Sequence, residues 1–456
     1  MATITDRTPL LENGSGLSLE PRAQSFAHRM TVMLKAEGQP SWLASYRFFL
    51  FGSWVNVLLI FIPLSFASHV LNWDAALRFS FSFFAIMPLA ALLGTATEQL
   101  SMQVGQTLAG LLNATFGNAV EIIVGIAALL QDELRIVQTS MLGSILSNLL
   151  LVLGCSFFAG GLLKDSIFDE TAAQAASSLM TLACITLVVP AAYHSSQTRG
   201  LMLGNATSTV LNAGIQHVVD GTDLDKEAEF GLRFISRGTS ILLLIIYIGY
   251  LTFQLKTHAR LFEDERGQEE EEPQLMNFPA ACSALLLVTV ITSFCADFLV
   301  ASIEETAERY HISRPFIGVI LLPIVANAAE HVTSIWMARK DKMALTIGIC
   351  VGSSIQISAF VIPMLVIIGW ITHHNLTLFF SDFETIVLFV SVLLVQFLIQ
   401  DGKSNYMEGM MLIVLYLVLA LACRCRPDPR VALTYPPSLQ FGSPSSCISS
   451  ILYAAL

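Results

Sequence analysis

Charge is scarce in this sequence. Asp, Glu, Lys and Arg together make up 13% of its 456 residues, against about 25% in a soluble domain. Much of the acid sits in one run, RLFEDERGQEEEEPQ (260–274), so the formal net charge of −11 is a local feature and says little about partners. There is no broad basic patch, and a nucleic-acid surface of the usual electrostatic kind is excluded. Cysteine is sparse too: eight residues, scattered, several inside apolar stretches. With no Cys-x-x-Cys and no zinc spacing they build neither a disulfide framework nor a zinc site, and they read as small core residues. No nucleophile–base pair and no HExxH is visible; the Glu-His order at Glu330-His331 is the reverse of a zinc-protease start. The chain reads as a transporter rather than an enzyme, with no cofactor expected. The first ~45 residues are polar and of mixed charge, without a cleavable signal peptide, so the first apolar span is expected to serve as the membrane signal.

What is abundant is apolar length. Hydrophobic residues make up 54% of the chain and the mean hydropathy is +0.66, the composition of a polytopic membrane protein. About 20 apolar residues cross a bilayer as a helix, and eleven such spans are expected, centred near Leu58, Met87, Ile122, Leu149, Leu182, Ile245, Leu287, Ile324, Ile355, Val390 and Leu415. The expected fold is all-α and polytopic. It divides into a cytosolic tail (1–45), a leading helix (46–70), a first five-helix repeat (75–258), an acidic linker or helix (259–275), a second five-helix repeat (276–423) and a Pro- and Ser-rich tail (424–456) to which no function is assigned. The Lys and Arg bias places the N-terminus and the acidic run in the cytosol: Arg47, Lys256, Arg339, Lys340 and Lys342 fall on one side, while the opposite short loops hold Arg78, Arg135, Arg309 and Arg314.

The two halves carry an internal repeat. FGNAVEIIVGIAALLQDELRIVQTSMLGSILSN (116–148) lies over VANAAEHVTSIWMARKDKMALTIGICVGSSIQI (325–357) without a gap. Asn118 then falls on Asn327, Glu121 on Glu330, Asp132 on Asp341, and Gly143-Ser144 on Gly352-Ser353. With five helices per half the copies enter the membrane in opposite directions, an architecture that puts a transporter's binding site near the midplane between the repeats.

A charge at the bilayer centre costs at least ~2.5–3.5 kcal/mol. A lone intramembrane Glu could be a structural hydrogen bond from a protonated carboxyl. Two, at matched positions and each following an Asn on the same helix face, point to a site. Converging carboxylate, amide and hydroxyl oxygens suit a hard divalent cation such as Ca²⁺, with Asn118, Asn327, Ser144, Ser353 and Gln356 as the supporting donors. Gly143-Ser144 and Gly352-Ser353 are expected helix weak points that free carbonyls; small-residue helix packing is the other reading of those serines. The paired glutamates would titrate together, so cation and protons compete for one site. Glu98 is a candidate relay or an interfacial residue. His331 could tune Glu330 or bond a neighbouring helix. The run Glu269, Glu270, Glu271 and Glu272 is either a solvated linker or a cytosolic helix that gathers cations.

GNAVE with LGSILSNLLLVLG, and NAAEH with VGSSIQI, resemble the paired repeats of the vacuolar cation/proton exchanger family within the calcium/cation antiporter superfamily. The resemblance covers roughly residues 45–423. It implies eleven helices, a cytosolic N-terminus and uptake of Ca²⁺, often with some Mn²⁺, into the vacuole against protons. By position it makes Glu121 and Glu330 the central ligands, adds Ser144, Ser353 and Gln356 to the site, and gives Glu98 and the acidic run accessory roles. One departure is Ala326, where the family usually has Gly. DRTPLL (Asp6 to Leu11) resembles an acidic dileucine signal for vacuolar delivery. A Na⁺-driven exchanger, a Ca²⁺ channel and an intramembrane enzyme are the competing functions. Membrane lipid is the expected surrounding, and a homo-oligomer is left open.

Overall fold

The computed structural model describes residues 40–104, 106–162, 164–168, 174, 176–193, 221–258 and 273–425. DRTPLL, Glu269 to Glu272 and the tail from residue 426 lie outside the described residues. In chain order the helices are α1 (Trp42–Phe51), α2 (Trp54–Val70), α3 (Ala75–Val104), α4 (Gln106–Phe116), α5 (Ala119–Leu130), α6 (Leu134–Gly161), α7 (Ala176–Tyr193), α8 (Phe230–Thr257), α9 (Phe278–Arg309), α10 (Arg314–Ala326), α11 (Ala328–Arg339), α12 (Met343–Ile371), α13 (Asp382–Leu398) and α14 (Tyr406–Cys425).

Seven of these are long and apolar enough to cross a bilayer alone: α3, α6, α7, α8, α9, α12 and α14. Three more spans are bent pairs, α1 with α2 (88°), α4 with α5 (47°) and α10 with α11 (58°). Helix α13, at 17 residues, is at the short end of what spans. The described residues thus hold seven to ten candidate spans of an all-α polytopic protein, with α13 in the place of one further expected crossing.

The leading segment differs from the straight helix expected from residue 46. Asn56 Nδ2 donates to the carbonyls of Phe49 (3.1 Å) and Leu50 (3.0 Å). It thereby satisfies two of the acceptors that a helix end leaves open and fixes the right-angled turn into α2. Trp42, Leu43, Phe51 and Trp54 stay exposed around that corner, a surface suited to the bilayer interface, where Trp is enriched.

Successive spans alternate in direction, so loops gather on two faces. The face carrying Lys256, Arg339, Lys340 and Lys342 is called the basic face here. On it the halves are tied together. Gln99 Oε1 accepts from the backbone N–H of Leu275 (2.8 Å) and Met276 (3.0 Å). Two short strands, β1 (Ser166–Ile167) and β2 (Lys403–Ser404), pair antiparallel, and Lys164 bridges Asp341 at 2.6 Å. Between the faces α3 lies along α9 through small buried residues, among them Ala85, Ala96, Ala284 and Ala296, which let the backbones approach closely.

On the opposite face Asp74 caps α3: its Oδ1 accepts from the N–H of Ala76 (3.0 Å), and it meets Arg309 (2.5 Å) and the Tyr310 hydroxyl (3.1 Å). The Ala76 amide, with smaller help from Tyr310, Arg309 and Arg78, holds this carboxyl below the usual range. A lowered folded-state pKa contributes stability that is present above the unfolded value and lost only as pH falls through the folded one. Asp74→Ala is therefore expected to lower the melting temperature equally at about pH 5.5 and about pH 7.5, both above the ordinary Asp value of ~3.9. A loss confined to the higher pH in differential scanning fluorimetry would contradict this capping role.

The repeat is visible as geometry. The bent pairs α4–α5 and α10–α11 break at the matched asparagines, Asn118 (φ −110, ψ 32) and Asn327 (φ −87, ψ 10). Both following turns put an aspartate in the left-handed region, Asp132 (φ 59) and Asp341 (φ 65), a conformation Asn and Asp tolerate better than other side chains. Both next spans contain a π-helical turn that ends at the matched valines, Ser147–Val152 and Ile357–Val361.

Candidate cation site

The break at each asparagine starts a new helix inside the molecule. Helices α5 and α11 begin at Ala119 and Ala328, and Glu121 and Glu330 stand in their first turns. A helix N-terminus carries unsatisfied N–H groups and about half a positive charge, which offsets part of the cost of a carboxylate there. Glu121 is buried, 3% exposed. Glu330 is half-buried, but its Oε2 is closed off and meets no hydrogen-bond partner among the described residues. The two carboxylates lie within Coulombic reach of each other.

Each asparagine reaches into the other half. Asn118 Oδ1 accepts from Ser353 Oγ (2.8 Å), and its Nδ2 donates to Gln356 Oε1 (2.5 Å). Asn327 Nδ2 donates to the Ser144 carbonyl (3.1 Å). The structure thus joins Asn118, Asn327, Ser144, Ser353 and Gln356 around the glutamates. The exchange is not identical, because one half offers a hydroxyl where the other offers a backbone carbonyl.

One further residue belongs to this cluster. Asn148, fully buried, donates from Nδ2 to Ser353 Oγ (2.9 Å) and lies beside Glu330. Its Oδ1 and Asn327 Oδ1 are buried without a partner among the described residues. Such orphans cost about 1–3 kcal/mol each and are expected where a ligand completes the set. The signal for Asn148 was in the sequence: it is an amide in an otherwise apolar helix, directly after the position that lies opposite Gln356 in the repeat.

The Gly-Ser steps do not break their helices as expected. Helix α6 runs through Gly143-Ser144, and α12 through Gly352-Ser353, and each loosens into its π turn only afterwards. The glycines serve space instead. A Cβ on Gly143 would meet the Val319 carbonyl at 2.4 Å and Pro323 Cγ at 2.6 Å, and one on Gly318 would meet Thr139 Oγ1 at 1.9 Å. This close crossing of α6 and α10 brings Ser144 to Asn327.

Glu98 is exposed toward the basic end of α3, and His331 is half-buried beside Glu330; neither lines the cavities described next. A cavity of ≈ 10 Å³ adjoins Glu121, walled by Ser140, Ser144, Val325 and Ala326. A larger one of ≈ 140 Å³ reaches Gln356 from the basic face. Among the described residues no three His, Cys, Asp or Glu side chains cluster as a metal site. The oxygens that converge here come from carboxylates, amides, hydroxyls and a backbone carbonyl, a set that would suit a hard cation.

The model of the sodium/calcium exchanger protein family matches residues 74–256 and 281–423. The chain belongs to this family. It is 44% identical over 375 residues to the vacuolar calcium ion transporter of Schizosaccharomyces pombe, covering 82% of this chain and 85% of that one. It is 41% identical over 399 residues to vacuolar cation/proton exchanger 2 of Oryza sativa, covering 85% of each. The solved structure of native YfkE is similar with a TM-score of 0.65 at 32% identity, covering 82% of this chain and 100% of that one.

Proposed function

We propose that this chain is a proton-driven antiporter that carries Ca²⁺, and some Mn²⁺, from the cytosol into an acidic vacuole. The observation that carries this reading is the pair of Asn–Glu half-helix starts, each reaching into the opposite repeat, with unpartnered oxygens between them. The similarity to relatives named as vacuolar calcium transporters and cation/proton exchangers supports the substrate and the compartment. In this reading the basic face and the N-terminus are cytosolic, and the acidic run continuing from α8 concentrates cations there.

Two carboxylates in mutual reach cannot both stay ionised without a counter-charge. A divalent cation stabilises the doubly ionised pair, and when it leaves, protons replace it. Alternating access turns that competition into exchange. Each pH unit across the membrane supplies ~1.4 kcal/mol per proton, enough to drive cation into an acidic lumen.

Purified protein in inside-acid vesicles is expected to take up Ca²⁺ and to release protons as it does so. A Na⁺ gradient in place of the pH gradient should drive none. Uptake that follows Na⁺ instead would make the chain a sodium-coupled exchanger, and uptake with unitary currents would make it a channel.

A further inference from the structure

The ≈ 140 Å³ cavity has properties of its own. It is walled by Gly110, Asn113 and Ala114 of α4, the last turns of α8 from Tyr247 to Leu255, and the first half of α12 up to Gln356. All of these segments end on the basic face. The volume holds a handful of waters, since one needs ≳ 10–15 Å³. Of the residues around it none is charged, and the polar ones are Asn113, Tyr247, Tyr250, Gln254 and Gln356. Gln356 forms the inner end, where its Oε1 is held by Asn118.

One group in this wall has no structural explanation. Tyr247 is 3% exposed, stacked on Phe360 with centroids 5.2 Å apart, and its hydroxyl is buried with no partner among the described residues. Leaving such a group unmade costs about 1–3 kcal/mol, and a phenylalanine would stack as well without that cost. A second feature is Gly352, on whose side a Cβ would meet nothing within 4 Å. Its repeat partner Gly143 is crowded by backbone, so helix crossing does not explain the glycine here, whereas keeping the cavity open does.

We infer that this cavity is a staging site, where a divalent cation on its way from the cytosolic face is held with part of its water shell by the neutral oxygens of Tyr247, Asn113, Gln254 and Gln356 before it passes the Asn118–Gln356 bond. The inference rests on the cation-antiport reading of the central site. Neutral donors suit the task. A passage must bind well enough to admit an ion and weakly enough to release it, and a carboxylate here would compete with Glu121 and Glu330 for the cation. Gln356 belongs to both places, and exchanging its bond to Asn118 for the arriving cation opens the way inward.

The test has two arms. Tyr247→Phe removes one oxygen and keeps the stacked ring. It is expected to raise the apparent KM for cytosolic Ca²⁺ about three- to tenfold, ~1 kcal/mol by the usual conversion, with kcat within about twofold; an unchanged KM overturns the proposal. In the second arm Gly352→Cys is treated from the cytosolic face with a small cationic methanethiosulfonate, wild-type protein giving the background. The new thiol is expected to react, and millimolar Ca²⁺ is expected to slow the reaction at least twofold, also in a Glu330→Gln background where the central site is disabled. A thiol that does not react, or protection that disappears with Glu330→Gln, overturns it as well. This arm needs no pH gradient, so it decides the staging site even if proton-driven uptake itself fails.

Discussion

Glu121→Gln and Glu330→Gln are each expected to abolish pH-driven Ca²⁺ uptake, and each is expected to leave the protein as stable as wild type or more so. The first half follows from charge. At ~4 Å and an effective dielectric of ~20, one unit charge interacts with another by about 4 kcal/mol, and a divalent ion feels more. Losing one carboxylate should lower affinity by about a thousandfold, since ~1.4 kcal/mol is a factor of ten. Exchange also ends, because the remaining group cannot alternate between a cation-bound pair and a protonated one. The double variant should therefore be no worse than either single one, the non-additive result expected of residues that work as a unit.

The second half separates a site from a structural bond. Glutamine keeps the shape of the side chain and removes a charge whose presence in the membrane costs ~2.5–3.5 kcal/mol or more. If either glutamate mainly held helices together through a protonated carboxyl, its amide would weaken the fold. Radiolabelled Ca²⁺ uptake and thermal unfolding of the same preparations read both quantities. Uptake above about a tenth of wild type, or a clear fall in melting temperature, would defeat the assignment.

Gly143→Val, unlike the glutamate substitutions, is expected to cause a large loss of folded protein. The new Cβ would meet the Val319 carbonyl at 2.4 Å and its Cα at 2.7 Å. Backbone cannot give way as a long side chain can, and overpacking of this kind costs at least about 1–3 kcal/mol. Pushing α6 off α10 also breaks the Asn327–Ser144 hydrogen bond of 3.1 Å. Gly318→Ala is a milder version with a built-in control. Its Cβ would strike the Thr139 side chain, at 1.9 Å from Oγ1 and 2.6 Å from Cβ, so Thr139→Gly should restore part of the loss. No side-chain truncation should rescue Gly143→Val. Detergent-solubilised yield on size exclusion and melting temperature check all three; a well-folded Gly143→Val protein would show that the crossing is loose.

Much of this was legible in the residues. The apolar spans, the overlay of Asn118-Glu121 on Asn327-Glu330 and the Asp132–Asp341 match predicted an all-α polytopic fold and pointed to the two asparagines at which the matched helices break and from which they bond across to the other half. Legibility stopped where a residue's role depends on what lies across from it. Gly143 and Gly352 are equivalent in sequence, yet one meets backbone and the other open space; only the crossing with α10 distinguishes them. Asn148 has Ile357 as its counterpart, so a search for matched polar positions passes over it, although its amide holds Ser353. The corner after Phe51 depends on Asn56, one polar side chain in an apolar run, bonding backward to two carbonyls. Hydropathy has no term for such a bond.

Two of the four π-helical turns among the described residues, the pair in α6 and α12, carry a consequence of another kind. A π turn holds one residue more than the α-helical register allows, and it is most simply an insertion. Ser147–Val152 and Ile357–Val361 differ by one residue in length but end at matched positions, Val152 and Val361. A single ancestral half that already contained the extra residue would pass it to both descendants on duplication. The swelling in the helix would then be older than the two-part chain, and the present site, shared between halves, would once have formed between two separate, oppositely inserted copies of one short polypeptide.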